Sequence, residues 1–163
     1  MFVDGGRYSR RTGEVANTLT VAIDQMQLAD AATVAALATE LGYPSTEADI
    51  RYRLGVISQT SEARLLVARD GAGTVVGWIH VQATLSLESD HRAEIWGLVV
   101  SESVRGAGVG RRLVETAEEW ALLRGITVMV LRSNQLRTDA RGFYLHLGYT
   151  ITKTQSAFRK RLA

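Results

Sequence analysis

The stretch Val104–Arg112 reads V-R-G-A-G-V-G-R-R. Gly106, Gly108 and Gly110 alternate within it and are flanked by Arg105 and Arg111, between an apolar run at Ile95–Val100 and a helix-like run at Leu113–Arg124. A strand that gives way to a helix through such a turn is suited to holding a pyrophosphate. Glycine lets the backbone approach an anion closely and take φ values closed to other residues. The first N–H groups of a helix have no partner within it, and the helix dipole adds positive potential there. Arginines add charge-assisted hydrogen bonds. The competing reading is a tight strand-to-helix turn that binds nothing.

Spacing narrows the kind of phosphate site. A P-loop requires Lys and then Ser or Thr after its last glycine, whereas Gly110 is followed by Arg111 and Arg112. A dinucleotide fingerprint requires G-x-G-x-x-G early in a βαβ unit. Neither Gly106 nor Gly108 begins that spacing, and the loop comes late in the chain. The pattern that does fit is R-x-x-G-x-G, formed by Arg105, Gly108 and Gly110.

The elements around the loop follow from periodicity and punctuation. Residues 1–17, rich in Gly, Arg and Ser, read as a mobile leader before a domain spanning 18–163. Leu19–Ile23 alternates as a short strand does, and Asp30 stands where it can cap a helix carrying Val34, Leu37, Ala38 and Leu41. Gly42 and Pro44 stop that helix, and Thr46 with Asp49 forms a capping-box variant before Ile50, Leu54 and Ile57. Arg64–Arg69 and Thr74–Ala83 are expected strands joined by Asp70-Gly71-Ala72-Gly73, a hairpin signal. Leu85–His91 is a polar connection, Arg92–Val100 a strand, and the glycine loop leads into a helix that Gly125 ends. Ile126–Leu131 is continuously apolar, as a central strand would be. Thr138–His146 is a short helix, and Tyr149–Arg161 is expected to add one or two terminal strands. The order β-α-α-β-β-β-α-β-α-β(β) is that of a single mixed α/β domain.

Bulk composition excludes several classes. The chain has 163 residues, 46% of them hydrophobic, enough for one packed core. It has no cysteine, which rules out disulfides, thiolate metal sites and a cysteine acyl-enzyme. No metal is called for, since none of His80, His91 and His146 has a partner at metal-ligand spacing. Each histidine reads as a surface or packing residue. The net charge of +2 is too small to imply nucleic acid, and no apolar run reaches the length of a membrane span. The first residues lack the apolar core of a signal peptide, so the cytoplasm is the expected location. A homodimer is neither required nor excluded by the sequence.

A second motif lies at 140–149, A-R-G-F-Y-L-H-L-G-Y. With Ala140, Phe143, Tyr144, Gly148 and Tyr149 it is similar to A-x-x-F-Y-x-x-x-G-[FY], a pattern in the last helix of the GNAT N-acyltransferase superfamily. The glycine loop resembles that superfamily's acyl-CoA pyrophosphate loop. The two motifs stand in the family's order, and the element order follows it from about residue 19 onward.

The resemblance implies acetyl-CoA as donor substrate and a primary amine as acceptor. Arg105, Gly106, Ala107, Gly108, Val109, Gly110 and Arg111 would grip the pyrophosphate. The backbone of Leu98, Val99 and Val100 would pair with the pantetheine amides, and an N–H near Val99 would polarise the thioester carbonyl. Many members carry Asn three residues before the motif's alanine. Here that position is Arg137, with Ser133 and Asn134 close by, so Asn134 and Ala140 are the cofactor-side candidates in this segment.

Transfer requires the amine to lose a proton and the thiolate to gain one. Glu94, eleven residues before Arg105, stands where several family members carry a catalytic glutamate and is the implied base. Its alternative role is an ion pair with Arg92 or another arginine. Tyr144 is the implied acid, and its alternative is a core aromatic beside Phe143 and Tyr149. Trp78 and Trp96 belong either to the core or to the acceptor cleft. Glu40, Glu47, Asp49, Glu88 and Asp90 fall in segments that build that cleft in the family, which would suit a cationic aminoglycoside, polyamine or peptide amine. A solvated face is the alternative. The rival function is a non-catalytic acyl-CoA-binding sensor.

Overall fold

The computed structural model describes residues 18–134 and 137–162. The leader expected at 1–17 lies outside the described residues. Five strands pair in chain order into one sheet: β1 (Ala22–Gln25), β2 (Ala63–Arg69), β3 (Val75–Ser86), β4 (Ser89–Val100) and β5 (Met129–Leu131). The first four are antiparallel to their neighbours, and β5 runs parallel to β4. The helices are α1 (Ala31–Glu40), α2 (Glu47–Ile57), α3 (Val109–Leu123) and α4 (Thr138–His146), with 3₁₀ turns at Leu28–Asp30 and Glu102–Val104.

The sheet carries one apolar layer on each face. Ile79, Val81 and Ala83 of β3 with Ala93 and Ile95 of β4 pack on Val109, Leu113, Val114 and Ala117 of α3. Phe143 and Tyr144 of α4 join that side. On the other face Leu65, Val67 and Val99 pack on Val34, Leu37 and Leu54 of α1 and α2. The period-2 alternation of β3 sorts its side chains between these layers. Trp78 goes to the α1/α2 side, and His80 and Gln82 follow it.

Local signals explain the element ends. Thr46 Oγ1 accepts from the Asp49 N–H at 3.1 Å, and the Asp49 carboxylate accepts from the Thr46 N–H at 2.9 Å. These bonds satisfy donors at the start of α2 and hold the Asp49 carboxyl below its usual range. The expected hairpin at 70–73 forms: the Asp70 carboxylate accepts from the N–H groups of Ala72 and Thr74, both at 2.9 Å.

Three expectations are corrected. Asp30 precedes α1 but does not cap it through its side chain. Its buried carboxylate accepts from the Gln27 N–H at 2.8 Å and is gripped by Arg69 Nη2 at 2.9 Å from both oxygens. The strand at Ile126–Leu131 is reduced to Met129–Leu131 and sits at the sheet edge, not its centre. Continuous apolar character suits any strand covered on both faces, so it does not distinguish edge from centre. Finally, no strand forms among residues 150–162, which are irregular and exposed. A three-residue β5 offers such a strand few ladder bonds.

The Asp30 cluster supports a stability prediction. Asp30→Ala leaves a largely buried Arg69 with only Asp24, at 3.2 Å and half-exposed, as its partner. Unfolding in urea should show a loss of about 2–4 kcal/mol. A change under about 0.5 kcal/mol, the size of an ordinary surface substitution, would mean the pair contributes nothing net.

Candidate active site

β4 links the features that matter. It pairs with β5 only over Ala93–Ile95, opposite Met129–Leu131. Beyond Ile95 the two strands part, while β4 remains paired with β3 through Val100. On the β5 side, the backbone of Leu98, Val99 and Val100 thus has no ladder partner among the described residues. The sequence-expected pantetheine strand is the segment where the sheet opens.

The glycine loop closes one end of this opening. Gly108 is the N-cap of α3 with φ +84°, the left-handed region, and Gly106 has φ +79°. The N–H groups of Val109, Gly110 and Arg111 stand in the first turn of α3, where no intrahelical acceptor exists. A Cβ on Gly110 would lie 3.2 Å from the Phe143 ring, so the third glycine lets the start of α3 pack on α4. Arg105 bends back: its Nε donates to the Val100 carbonyl at 3.2 Å and its Nη1 pairs with Glu102 at 3.1 Å. Arg111 pairs with Glu115 at 3.7 Å. Both pairs are exposed and are readily exchanged for an anionic partner.

A cleft of about 380 Å³ lies on the opposite side of the sheet plane, between α1, α2 and strands β2–β4. Its walls are mostly apolar and aromatic, including Leu41, Tyr43, Trp78 and Trp96, with Arg53 and His80 as its ionisable nitrogen groups. A bulge shapes the floor. Gly97 pairs with His80 and Ile95 with Val81, which leaves Trp96 as an extra residue in β4. Gly97 has to be glycine: a Cβ there would fall 2.8 Å from the Trp78 ring. Trp96 is exposed, with its ring 5.9 Å from the His80 ring.

The two sequence candidates for proton transfer are placed differently. Glu94 is 7% exposed on β4, opposite Gln82, and contacts Arg132 Nε at 3.5 Å. It pairs with Arg132, not with Arg92, and it is not among the residues that line the cleft. Tyr144 of α4 packs edge-on against Phe143 (5.0 Å) and Tyr149 (5.5 Å), and burial pushes its hydroxyl up to about 12. Tyr149 donates to Glu118 at 2.7 Å, and burial with that bond raises it too.

The segment before α4 is anchored through Arg137. Arg137 donates to the Leu41 carbonyl at the end of α1 and lies 5.6 Å from the centre of the Tyr43 ring. It therefore ties α4 to the rim of the cleft across 96 residues of chain. Asn134 is exposed on the segment before α4, and Ala140 lies within α4.

The acidic acceptor cleft is not assembled. Glu40 accepts from the Glu102 N–H at 3.3 Å, Glu47 pairs with Arg51 and Asp49 is used in its capping box. Glu88 lies in the β3–β4 turn and Asp90 at the start of β4. None of the five lines the cleft.

His80, read from sequence as a surface or packing residue, lines the cleft, as do Trp78 and Trp96. His80 Nε2 and Trp78 Nε1 are buried without a hydrogen-bond partner among the described residues. Burial lowers the His80 pKa, so the imidazole is neutral at pH 7. Alternation along β3 was the available signal, but it needed the cleft to acquire meaning.

The site is thus a mixed sheet opened between two parallel strands, above a glycine loop at a helix N-terminus. The chain belongs to the acetyltransferase (GNAT) family, whose profile matches residues 30–149. An aminoalkylphosphonate N-acetyltransferase of Salmonella typhimurium is 39% identical over 88 residues, covering 53% of this chain and 54% of that protein. N-alpha-acetyltransferase 80 of Mus musculus is 36% identical over 80 residues, covering 49% of this chain and 24% of that one. The matches thus span about a quarter to a half of these relatives. An aminoglycoside N-acetyltransferase solved with CoA superposes with a TM-score of 0.78 at 19% identity, covering 91% of this chain and 100% of the other. That likeness establishes the fold. Among the described residues no group of side chains is arranged to hold a metal ion, and no helix is long and apolar enough to cross a membrane.

Proposed function

We propose that this protein is an acetyl-CoA-dependent N-acetyltransferase that acts on a small primary amine by direct attack in a ternary complex. One observation carries the reading. The opened segment of β4 connects the glycine loop at one end with the cleft at the other. A donor anchored by its pyrophosphate at Gly106–Arg111, with Leu98–Val100 bonding its arm, brings its thioester to the cleft beside Gly97. Asn134 and Ala140 flank that arm from the α4 side. The thioester carbonyl is then polarised by a β4 N–H near Val99, and positioning supplies much of the acceleration.

The acceptor enters between aromatic walls beside Arg53. This favours a compact amine that carries an anionic group, a class to which the substrate named for the Salmonella relative belongs. A polycationic aminoglycoside or polyamine is the second reading, favoured by the likeness to the aminoglycoside enzyme. Peptide amines and a sensor without turnover are separated by the same assay. Released CoA is measured with acetyl-CoA and a panel of aminoalkylphosphonates, aminoglycosides, polyamines and peptides. Turnover is expected, fastest with the anionic amines. Initial-rate plots should intersect, since no cysteine is available to carry the acetyl group. Parallel lines with an isolable acyl-enzyme would overturn direct attack. Tight acetyl-CoA binding without any transfer would establish the sensor.

A further inference from the structure

We infer that His80 is the catalytic base of this site, receiving the acceptor's proton on Nε2. The inference rests on the transferase reading above and adds a residue that neither family motif contains. Two polar atoms, His80 Nε2 and Trp78 Nε1, are buried without partners in the wall of an otherwise largely apolar cleft. A buried polar atom left unsatisfied is costly and calls for an explanation. Of the unpartnered buried atoms among the described residues, His80 Nε2 and Trp78 Nε1 are the pair that belongs to residues lining this cleft. A neutral imidazole nitrogen can accept from a nitrogen donor, and the indole N–H can donate to an oxygen of the same acceptor.

The register places His80 at the reacting end. It is paired with Gly97, the first β4 residue after the Trp96 bulge and next to Leu98–Val100. Glu94, in contrast, lies beyond the bulge, opposite Gln82, and is engaged by Arg132. The charged and titratable groups that line the cleft with His80 are Arg53 from α2 and Tyr43 from the α1–α2 connection. The lining residues of α1 and β2, such as Val34, Ala38 and Leu65, carry no charge. Nothing among the described residues competes for Nε2.

Proton bookkeeping determines the step. Moving a proton from an ammonium near 10.4 to an imidazole near 6.5 is unfavourable by roughly four powers of ten. The free amine fraction therefore forms by loss of one proton to water. Its nitrogen attacks the thioester carbonyl carbon, and the C=O π pair moves onto oxygen. The new C–N bond leaves a positive, strongly acidic nitrogen, whose second proton passes to His80 Nε2. The oxygen pair then re-forms C=O as the C–S bond breaks, and the thiolate takes a proton. His80 returns its proton to water. One acetamide, one thiol and one released proton result.

The test uses the whole chain, acetyl-CoA and the fastest amine of the panel. Wild-type kcat, which rises with pH as the bound ammonium ionises, should fall more steeply on an added acidic limb with its midpoint below the ordinary imidazole value of about 6.5. His80→Gln should lower kcat about 100-fold at pH 7 and abolish that limb, with acetyl-CoA affinity unchanged. Glu94→Gln should retain the limb. In wild type, the His80 ring ¹⁵N resonances, recorded with CoA and acceptor bound, should titrate with the kcat midpoint. This measurement stands if the variant fails to fold. A His80→Gln enzyme with wild-type rate and limb, a limb lost only in Glu94→Gln, or ring resonances that titrate elsewhere overturns the assignment while leaving the transferase intact. A wild type without turnover on the whole panel overturns both.

Discussion

Gly108→Val is expected to weaken acetyl-CoA binding by about 100-fold. Gly108 holds φ +84° at the N-cap of α3, and among the described residues a Cβ there would meet Thr18 Cγ2 at 3.5 Å, an ordinary contact. The difficulty is conformational. An L-residue in the left-handed region costs about 1–2 kcal/mol, and a branched Cβ costs more. If the loop keeps its shape, two methyl groups stand where a phosphate must approach the backbone. If the loop relaxes instead, the N–H groups of Val109–Arg111 lose their common aim. Both outcomes weaken the grip on the anion. Calorimetric titration of the folded variant checks this, with melting temperature as the control. Affinity equal to wild type would remove the phosphate loop from the donor site.

Tyr144→Phe should lower kcat by about 10- to 1,000-fold with little change in stability. The ring contacts with Phe143 and Tyr149 survive the substitution, and only the hydroxyl is lost. Burial modifies the role expected from sequence. With its pKa pushed up to about 12, full transfer of the phenolic proton to a thiolate of ordinary basicity, near 8.5, is unfavourable by more than three powers of ten. In the proposed site the hydroxyl would instead donate a hydrogen bond that stabilises the thiolate as it forms, with solvent supplying the proton. No rate limb should consequently arise from Tyr144 below about pH 11. Turnover equal to wild type, paired with a lower melting temperature, would assign Tyr144 to packing alone.

Local features of the fold were legible in the sequence. The Thr46–Asp49 box, the 70–73 hairpin and the glycine loop each depend on residues within a few positions of one another. Features set by distant pairing were not. Whether Ile126–Leu131 lies at the centre or the edge depends on a neighbour that the strand's own residues do not name. The same holds for Asp30, whose position suggests a cap but whose carboxylate is taken by Arg69, 39 residues away. The five acidic residues are all exposed, in keeping with the solvated face that was the alternative to an acidic cleft. Counting carboxylates along a segment ignores their local use in caps and i,i+4 pairs, and Glu47 and Asp49 are used in that way. His80 reads as a packing residue because a lone strand histidine has no partner in sequence, and its place beside Gly97 comes from a bulge at Trp96 that no local pattern announces.

If acetyl-CoA binds as proposed, the parting of β4 and β5 after Ile95 couples the supply of donor to folding. Backbone groups of Leu98–Val100 that face the opening would gain partners from the donor's amides, and the donor would serve as part of the sheet. Anything that binds the native state alone adds to its stability, by about 2.7 kcal/mol when its concentration is 100 times its Kd. The lifetime of this protein in a cell would then track the supply of acetyl-CoA. Starvation for acetyl groups would lower both the rate of the enzyme and the amount of it that stays folded.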